Sequence, residues 1–238
     1  MILLIDAGNT RIKWRLVGLS PIGEGAFGHD RLDVLNDVFE REPRIRRVIG
    51  ANVAGAQIAQ EITALARQAG LAPEWLSAGP ERCGVRNLYQ EPGQLGADRW
   101  AALIGARGRH PHACLVIMAG TATTVDVLDA DGNFRGGLIL PGVELMQRAL
   151  ASNTAQLPFV AGHFAQAPRN TADAILSGCL QAQAGAVERM FRQIDTAPHA
   201  CCLLGGGAAD TFADLITLPL QRVDNLVLDG LARIAQEG

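Results

Sequence analysis

The chain has 238 residues, with 21 Lys and Arg against 24 Asp and Glu and a formal net charge of −3. That balance argues against a nucleic-acid surface, which needs concentrated cations. The short basic run Arg44, Arg46, Arg47 reads as a solvated strand entrance. With 48% apolar and 5% aromatic residues the composition is that of an α/β enzyme with an aliphatic core. Its length suits one large domain or two of roughly 100–120 residues each. No uninterrupted apolar run reaches the length of about 18 residues that a membrane-crossing helix needs. The N-terminus lacks the basic and small-residue features of a signal peptide. Five cysteines without C-x-x-C spacing predict reduced thiols in a cytoplasm and no metal cage.

Taken in chain order, Ile2–Ile5 predicts a strand that runs into Asp6-Ala7-Gly8-Asn9-Thr10, and Ile12, Trp14 and Leu16 alternate out of it as a second strand. A Gly-Pro turn over 18–23 and a short strand at 25–27 follow. Helices are predicted near 33–40 and 56–69, with a strand at 47–51 between them. The second helix rests on Ile58, Ile62 and Leu65 at helical spacing, with Gly70 as its C-cap. Residues 79–95 read as a long loop, and loops of that length are often functional. A helix over 97–107 stands at the junction of the halves.

The pattern then restarts. Strands are predicted at 115–119, 123–128 and 134–140, the first pair enclosing Gly120-Thr121-Ala122-Thr123-Thr124 and the second turning at Asp131-Gly132. Helices at 143–151 and 172–192, a strand at 201–204 entering Gly205-Gly206-Gly207, a short helix at 208–215 and a last one at 226–235 complete the reading. The halves share an order, a Gly/Thr hairpin followed by alternating helices and strands, which divides the chain into domains 1–112 and 113–238.

Glycines let backbone N–H groups approach an anion, and threonine hydroxyls add donors. The two Gly/Thr hairpins therefore point to a duplicated phosphate clamp. Asp6, ending a strand beside such a loop, is placed to hold Mg²⁺, or else to form its own turn. Thr10 and Lys13 reach for phosphate, or Lys13 faces solvent. Asp98 and Arg99 follow Gly96 at a helix start, where Asp98 is either a base for an acceptor hydroxyl or a complement to the helix dipole. Gly205-Gly206-Gly207 suits a nucleoside but lacks dinucleotide-fold spacing. The histidines have no Ser or Cys partner at triad spacing, so a hydrolase triad has no support.

In this order, the chain resembles the type III pantothenate kinases, within the acetate and sugar kinase, Hsp70 and actin superfamily. The matching pieces are Asp6-x-Gly8-Asn9-Thr10, Leu95-Gly96-x-Asp98-Arg99-Trp100, Gly120-Thr121-Ala122-x-Thr124-x-Asp126, Gly136-Gly137-x-Ile139-x-Pro141-Gly142, Asn170-Thr171, Gly178, Gly205-Gly206-Gly207 and Leu226-Val227-Leu228-x-Gly230-Leu231. The resemblance implies two ribonuclease-H-like domains with ATP and pantothenate in an interdomain cleft, Mg²⁺, a monovalent cation (K⁺ or NH₄⁺) and a homodimer. It implies Asp98 as the base and Arg99, Tyr89 and Gly96 around pantothenate, with Thr171 contributed across the dimer. Asp6, Gly8, Asn9, Thr10, Gly120, Thr121 and Thr124 would take the phosphates and Gly205 to Gly207 the adenosine. Met118 stands where the family commonly carries an acidic residue, which predicts weakened or altered monovalent-cation dependence. Two other readings share these residues: a nucleotide-binding regulatory protein, and a related small-molecule kinase.

Overall fold

The computed structural model describes residues 1–18, 23–153 and 161–237; most of the Gly-Pro turn expected over 18–23 lies outside them. The chain divides into two units, one formed by residues 1–109 together with those from Asn225 onward, the other by residues 110–224.

The first unit is built on strands β1 (Ile2–Ala7), β2 (Arg11–Val17), β3 (Glu24–Gly28), β4 (Arg47–Asn52) and β5 (Pro73–Trp75), in the order β3-β2-β1-β4-β5. β1 runs antiparallel to β2 and parallel to β4. Leu3, Leu4 and Ile5 are all fully buried because β1 is central and covered on both faces, which explains a continuous apolar run in place of alternation. Leu3 and Ile5 pack with Leu35 and Phe39 of α1 (Asp33–Arg41) and with Ile58 and Ile62 of α2 (Ala56–Gln68). The opposite face meets α3 (Ala97–Arg109) and α6 (Leu226–Glu237).

Helix α3 is buried without interruption from Arg99 to Ala106, since it lies between the sheet and α6. The α3–α6 crossing is backbone on backbone. A side chain at Gly105 would collide with the Leu226 carbonyl, and one at Gly230 with the Ala101 carbonyl. Asp229 fastens α6 further, accepting hydrogen bonds from Arg15 at 2.7 Å and Arg109 at 2.6 Å.

The segment read as a long loop instead contains a hairpin, β6 (Glu81–Arg82) and β7 (Val85–Asn87), turned by Cys83 and Gly84. Both have positive φ, 51° and 74°, the geometry that matches strand twist in two-residue turns. Cys-Gly gives little sequence signal for such a turn.

The second unit repeats the order. Strands β8 (Cys114–Ala119), β9 (Ala122–Leu128), β10 (Asn133–Pro141), β11 (Cys201–Gly205) and β12 (Leu220–Arg222) lie as β10-β9-β8-β11-β12. β8 is antiparallel to β9 and parallel to β11. α4 (Val143–Asn153) follows β10, and α5 (Thr171–Phe191) packs Cys179, Leu180, Val187 and Phe191 against Leu115, Ile117, Val125 and Val127. The helix expected over 208–215 is two short 3₁₀ turns, Ala209–Thr211 and Ala213–Leu215. The five cysteines form no disulfide.

Candidate active site

In the first unit β1 delivers Asp6 to the mouth of the loop Gly8-Asn9-Thr10, with Lys13 as its register partner on β2. The Gly8 N–H closes the turn on the Arg11 carbonyl at 3.1 Å. Burial raises the Asp6 carboxyl to about 6; Lys13 opposes the shift and the nearby Asp98 carboxylate adds to it. The two acids named from separate motifs are thus neighbours, because α3 begins beside the end of β1.

Asp98 lies in the first turn of α3, its Oδ1 accepting the Arg99 backbone N–H at 2.8 Å. A side chain at Gly96 would press on that same oxygen, at 2.7 Å. Arg99 is 6% exposed, and its guanidinium donates to the Tyr89 hydroxyl at 3.1 Å while standing 5.8 Å from the Tyr89 ring centre. Tyr89 owes its position to Asn87, a residue that sequence reasoning passed over. The buried Asn87 side chain accepts from the Tyr89 N–H at 3.1 Å and donates to the Pro92 carbonyl at 3.0 Å. An Asn bonding the backbone two residues on is a recognisable turn device, and its spacing from Tyr89 was the available signal.

In the second unit three backbone loops converge at the ends of β8, β10 and β11. Gly120 and Thr121 are exposed between β8 and β9. The Gly142 N–H donates to the Thr121 carbonyl at 2.8 Å, and the Ala208 N–H to the Ala119 carbonyl at 3.1 Å. Gly206, at φ 98°, faces that Ala119 carbonyl so closely that any side chain there would collide with it. Gly205 and Gly207 flank it. Thr124 is buried with its hydroxyl lacking a hydrogen-bond partner, on the same sheet face as Met118, its register partner, and as the buried Asp126. Gln183 of α5, also missed in the sequence, is 1% exposed and donates to the Pro141 carbonyl at 2.7 Å, bracing the loop that Gly142 shares with Thr121.

Thr171 belongs to the second unit. It begins α5, whose N-cap Asn170 accepts the Asp173 N–H at 2.9 Å, and it lines a groove of about 990 Å³ with Met146, Leu150, Ile175 and Gly178.

Among the described residues no group of three or more His, Cys, Asp or Glu side chains is arranged to hold a metal ion. Asp6, with the Asp98 carboxylate in its electrostatic environment, is a donor of the kind Mg²⁺ takes, since that ion keeps several waters and uses one or two carboxylates plus substrate phosphates.

A family model described as type III pantothenate kinase matches residues 2–193. A type III pantothenate kinase of Aromatoleum aromaticum is 63% identical over 238 residues, covering 100% of this chain and 98% of the relative. One from Azoarcus sp. is 56% identical, covering 99% and 90%. Among solved structures, the ethanolamine utilization protein EutJ from Carboxydothermus hydrogenoformans superposes with a TM-score of 0.57 at 14% identity, covering 99% of this chain and 89% of that one. That likeness is one of fold, a mixed α/β architecture in which this chain repeats one strand order in two sheets. By family match and by identity along its whole length, the chain belongs to the type III pantothenate kinases.

Proposed function

We infer that the chain transfers the γ-phosphate of ATP to the primary hydroxyl of pantothenate, giving 4′-phosphopantothenate and ADP, the first step toward coenzyme A. The observation that carries this reading is the grouping of Asp98, Asp6 and the Arg99–Tyr89 pair in one unit of a full-length family member. Asp98 orients the acceptor hydroxyl and takes its proton as the oxygen bonds to the γ-phosphorus and the bond to ADP breaks. Arg99, held by Tyr89, grips pantothenate, and Gly96 leaves the Asp98 carboxylate unobstructed. Gly8, Asn9, Thr10, Lys13, Gly120, Thr121 and Thr124 serve the phosphates. Gly205, Gly206 and Gly207 border the adenosine. Asp6 would hold Mg²⁺, which when bound neutralises phosphate charge. Most of the catalysis is positioning and charge stabilisation, as phosphoryl transfer requires.

The enzyme acts in the cytoplasm as a homodimer in which Thr171 contributes to the partner's pantothenate site. Support for the dimer comes from the groove beside α5, with small residues Ala174, Gly178 and Ala182 along it and Leu145 and Leu150 exposed nearby. No helix among the described residues is long and apolar enough to cross a membrane. Met118 brings a thioether rather than a carboxylate beside Gly205, so stimulation by K⁺ or NH₄⁺ over Na⁺ is weak.

The test is ADP release from MgATP with and without pantothenate, in K⁺, NH₄⁺ and Na⁺. Pantothenate-dependent turnover at similar rates in all three salts is expected. Nucleotide binding without turnover would mark a regulatory protein, and turnover with another small acid or sugar would mark a related kinase. Strong activation by K⁺ would overturn the role given to Met118.

A further inference from the structure

The first phosphate loop has a brace outside every motif named so far. β3 pairs with β2 so that Gly28 sits opposite Arg11, the residue that closes the loop. The chain leaving β3 therefore places the next residue, half-buried His29, against the loop's base. Its Nε2 lies 2.8 Å from the Gly8 carbonyl oxygen. A carbonyl oxygen only accepts, so the proton of this hydrogen bond resides on Nε2.

The consequence follows from peptide geometry. A trans peptide is planar, and its C=O and N–H point in opposite directions. Fixing the Gly8 carbonyl toward His29 aims the Asn9 N–H away from His29. A flip of that one peptide would reverse it, presenting a carbonyl oxygen where a donor had been. Glycine at position 8 makes such a flip easy, since it has no Cβ to resist it. The preceding carbonyl is also committed, because Ala7 accepts the Val53 N–H at 2.9 Å.

We propose that His29 is a positioning residue for nucleotide binding: its Nε2–H locks the Gly8–Asn9 peptide so that the Asn9 N–H serves as a donor to a phosphate oxygen of ATP. The inference rests on the reading that the first loop binds nucleotide phosphate. In this role His29 acts through the loop and not on substrate or reacting atoms.

The test compares His29→Gln, whose amide nitrogen restores a donor at the Nε2 position, with His29→Glu, which has the same length but presents only acceptors at neutral pH, and with His29→Leu. MgADP affinity is measured by calorimetry, pantothenate affinity separately, and thermal midpoint alongside. The Leu and Glu variants should bind MgADP roughly tenfold more weakly, the change that loss of one oriented hydrogen bond produces. Pantothenate affinity should stay at the wild-type level, and the Gln variant should recover most of the loss. Equal MgADP affinity in all four proteins would overturn the proposal. So would losses in Gln as large as in Glu, or losses that follow the thermal midpoint and affect both ligands alike. Because nucleotide binding is read without turnover, a failure of the kinase reading would be seen separately, in the absence of pantothenate-dependent ADP release. If the Leu variant does not fold, the Gln–Glu pair decides.

Discussion

Asp6 joins stability to function in opposite senses. Its folded pKa of about 6 lies above the ordinary value of 3.8, so protonation favours the folded chain. The stability linked to this group is fully present below about 3.8 and lost as pH rises through about 6. At pH 7.5 the carboxylate therefore costs the unliganded fold about 3 kcal/mol, at roughly 1.4 kcal/mol per pKa unit. Asp6→Asn should raise the thermal midpoint of the unliganded protein at pH 7.5, with the gap narrowing toward pH 4, while raising the KM for MgATP tenfold or more on the order expected for a lost charged contact. A scan of melting temperature against pH, paired with steady-state kinetics, checks both halves. Asp98 offers a cleaner chemical test. Asp98→Asn keeps an acceptor for the Arg99 N–H but removes the base, so kcat should fall by roughly 10²–10⁴ with folding intact. A variant within about threefold of wild type would take Asp98 out of the mechanism. Both acids were legible as candidates because each sits beside glycine in a motif. Their proximity was not, since Asp6 and Asp98 are separated by most of a domain in sequence.

Elements position these residues by packing, and the α3–α6 crossing is the tightest example. Gly230 lies against the Ala101 carbonyl, three residues along the helix from Asp98. Gly230→Ala should force the helices apart at a cost of about 1–3 kcal/mol, read as a lower urea midpoint. Because Asp98 rides on α3, kcat should fall as well in the folded fraction. The loop of Tyr89 depends in the same way on one side chain. Asn87→Ala would leave the Tyr89 N–H and the Pro92 carbonyl without their partner, and should raise the KM for pantothenate several-fold, roughly the effect of one to two lost hydrogen bonds. Long elements were readable from periodicity: β1, β2, α2 and α5 appear close to their expected bounds. The strands β5, β6, β7 and β12 span only two or three residues each, too few for a repeat to emerge; pairing with distant strands defines β5 and β12, and β6 and β7 pair across a turn with little sequence signal. His29 and Gln183 escaped notice for a related reason: each acts through a bond to backbone distant in sequence, and nothing in the residue type reports that partner. Asn87 differs, since its partners Tyr89 and Pro92 are close in sequence and its turn spacing was readable.

At the scale of the molecule the proposed dimer is open to a direct test. Gly178 lines the α5 groove, and a Cβ added there meets nothing within 4 Å among the described residues. Gly178→Arg should therefore fold normally yet sediment as a monomer where the wild type sediments as a dimer. Loss of pantothenate turnover in that monomer would support a contribution from the partner's Thr171. The sequence by itself determined the repeated α/β pattern, the two Gly/Thr hairpins and the family, because strand-turn-strand periodicity and loop chemistry are local and survive in the order of residues. Only the tertiary structure decided where the last helix goes. α6 follows the second unit in sequence but packs into the first, through glycine contacts and the Asp229 ion pairs with Arg15 and Arg109. It alone brought Asp6 beside Asp98 and set His29 against the Gly8 carbonyl. Those relations depend on strand register and helix crossing, which arise when distant segments exclude water together and are written in no single stretch of the chain.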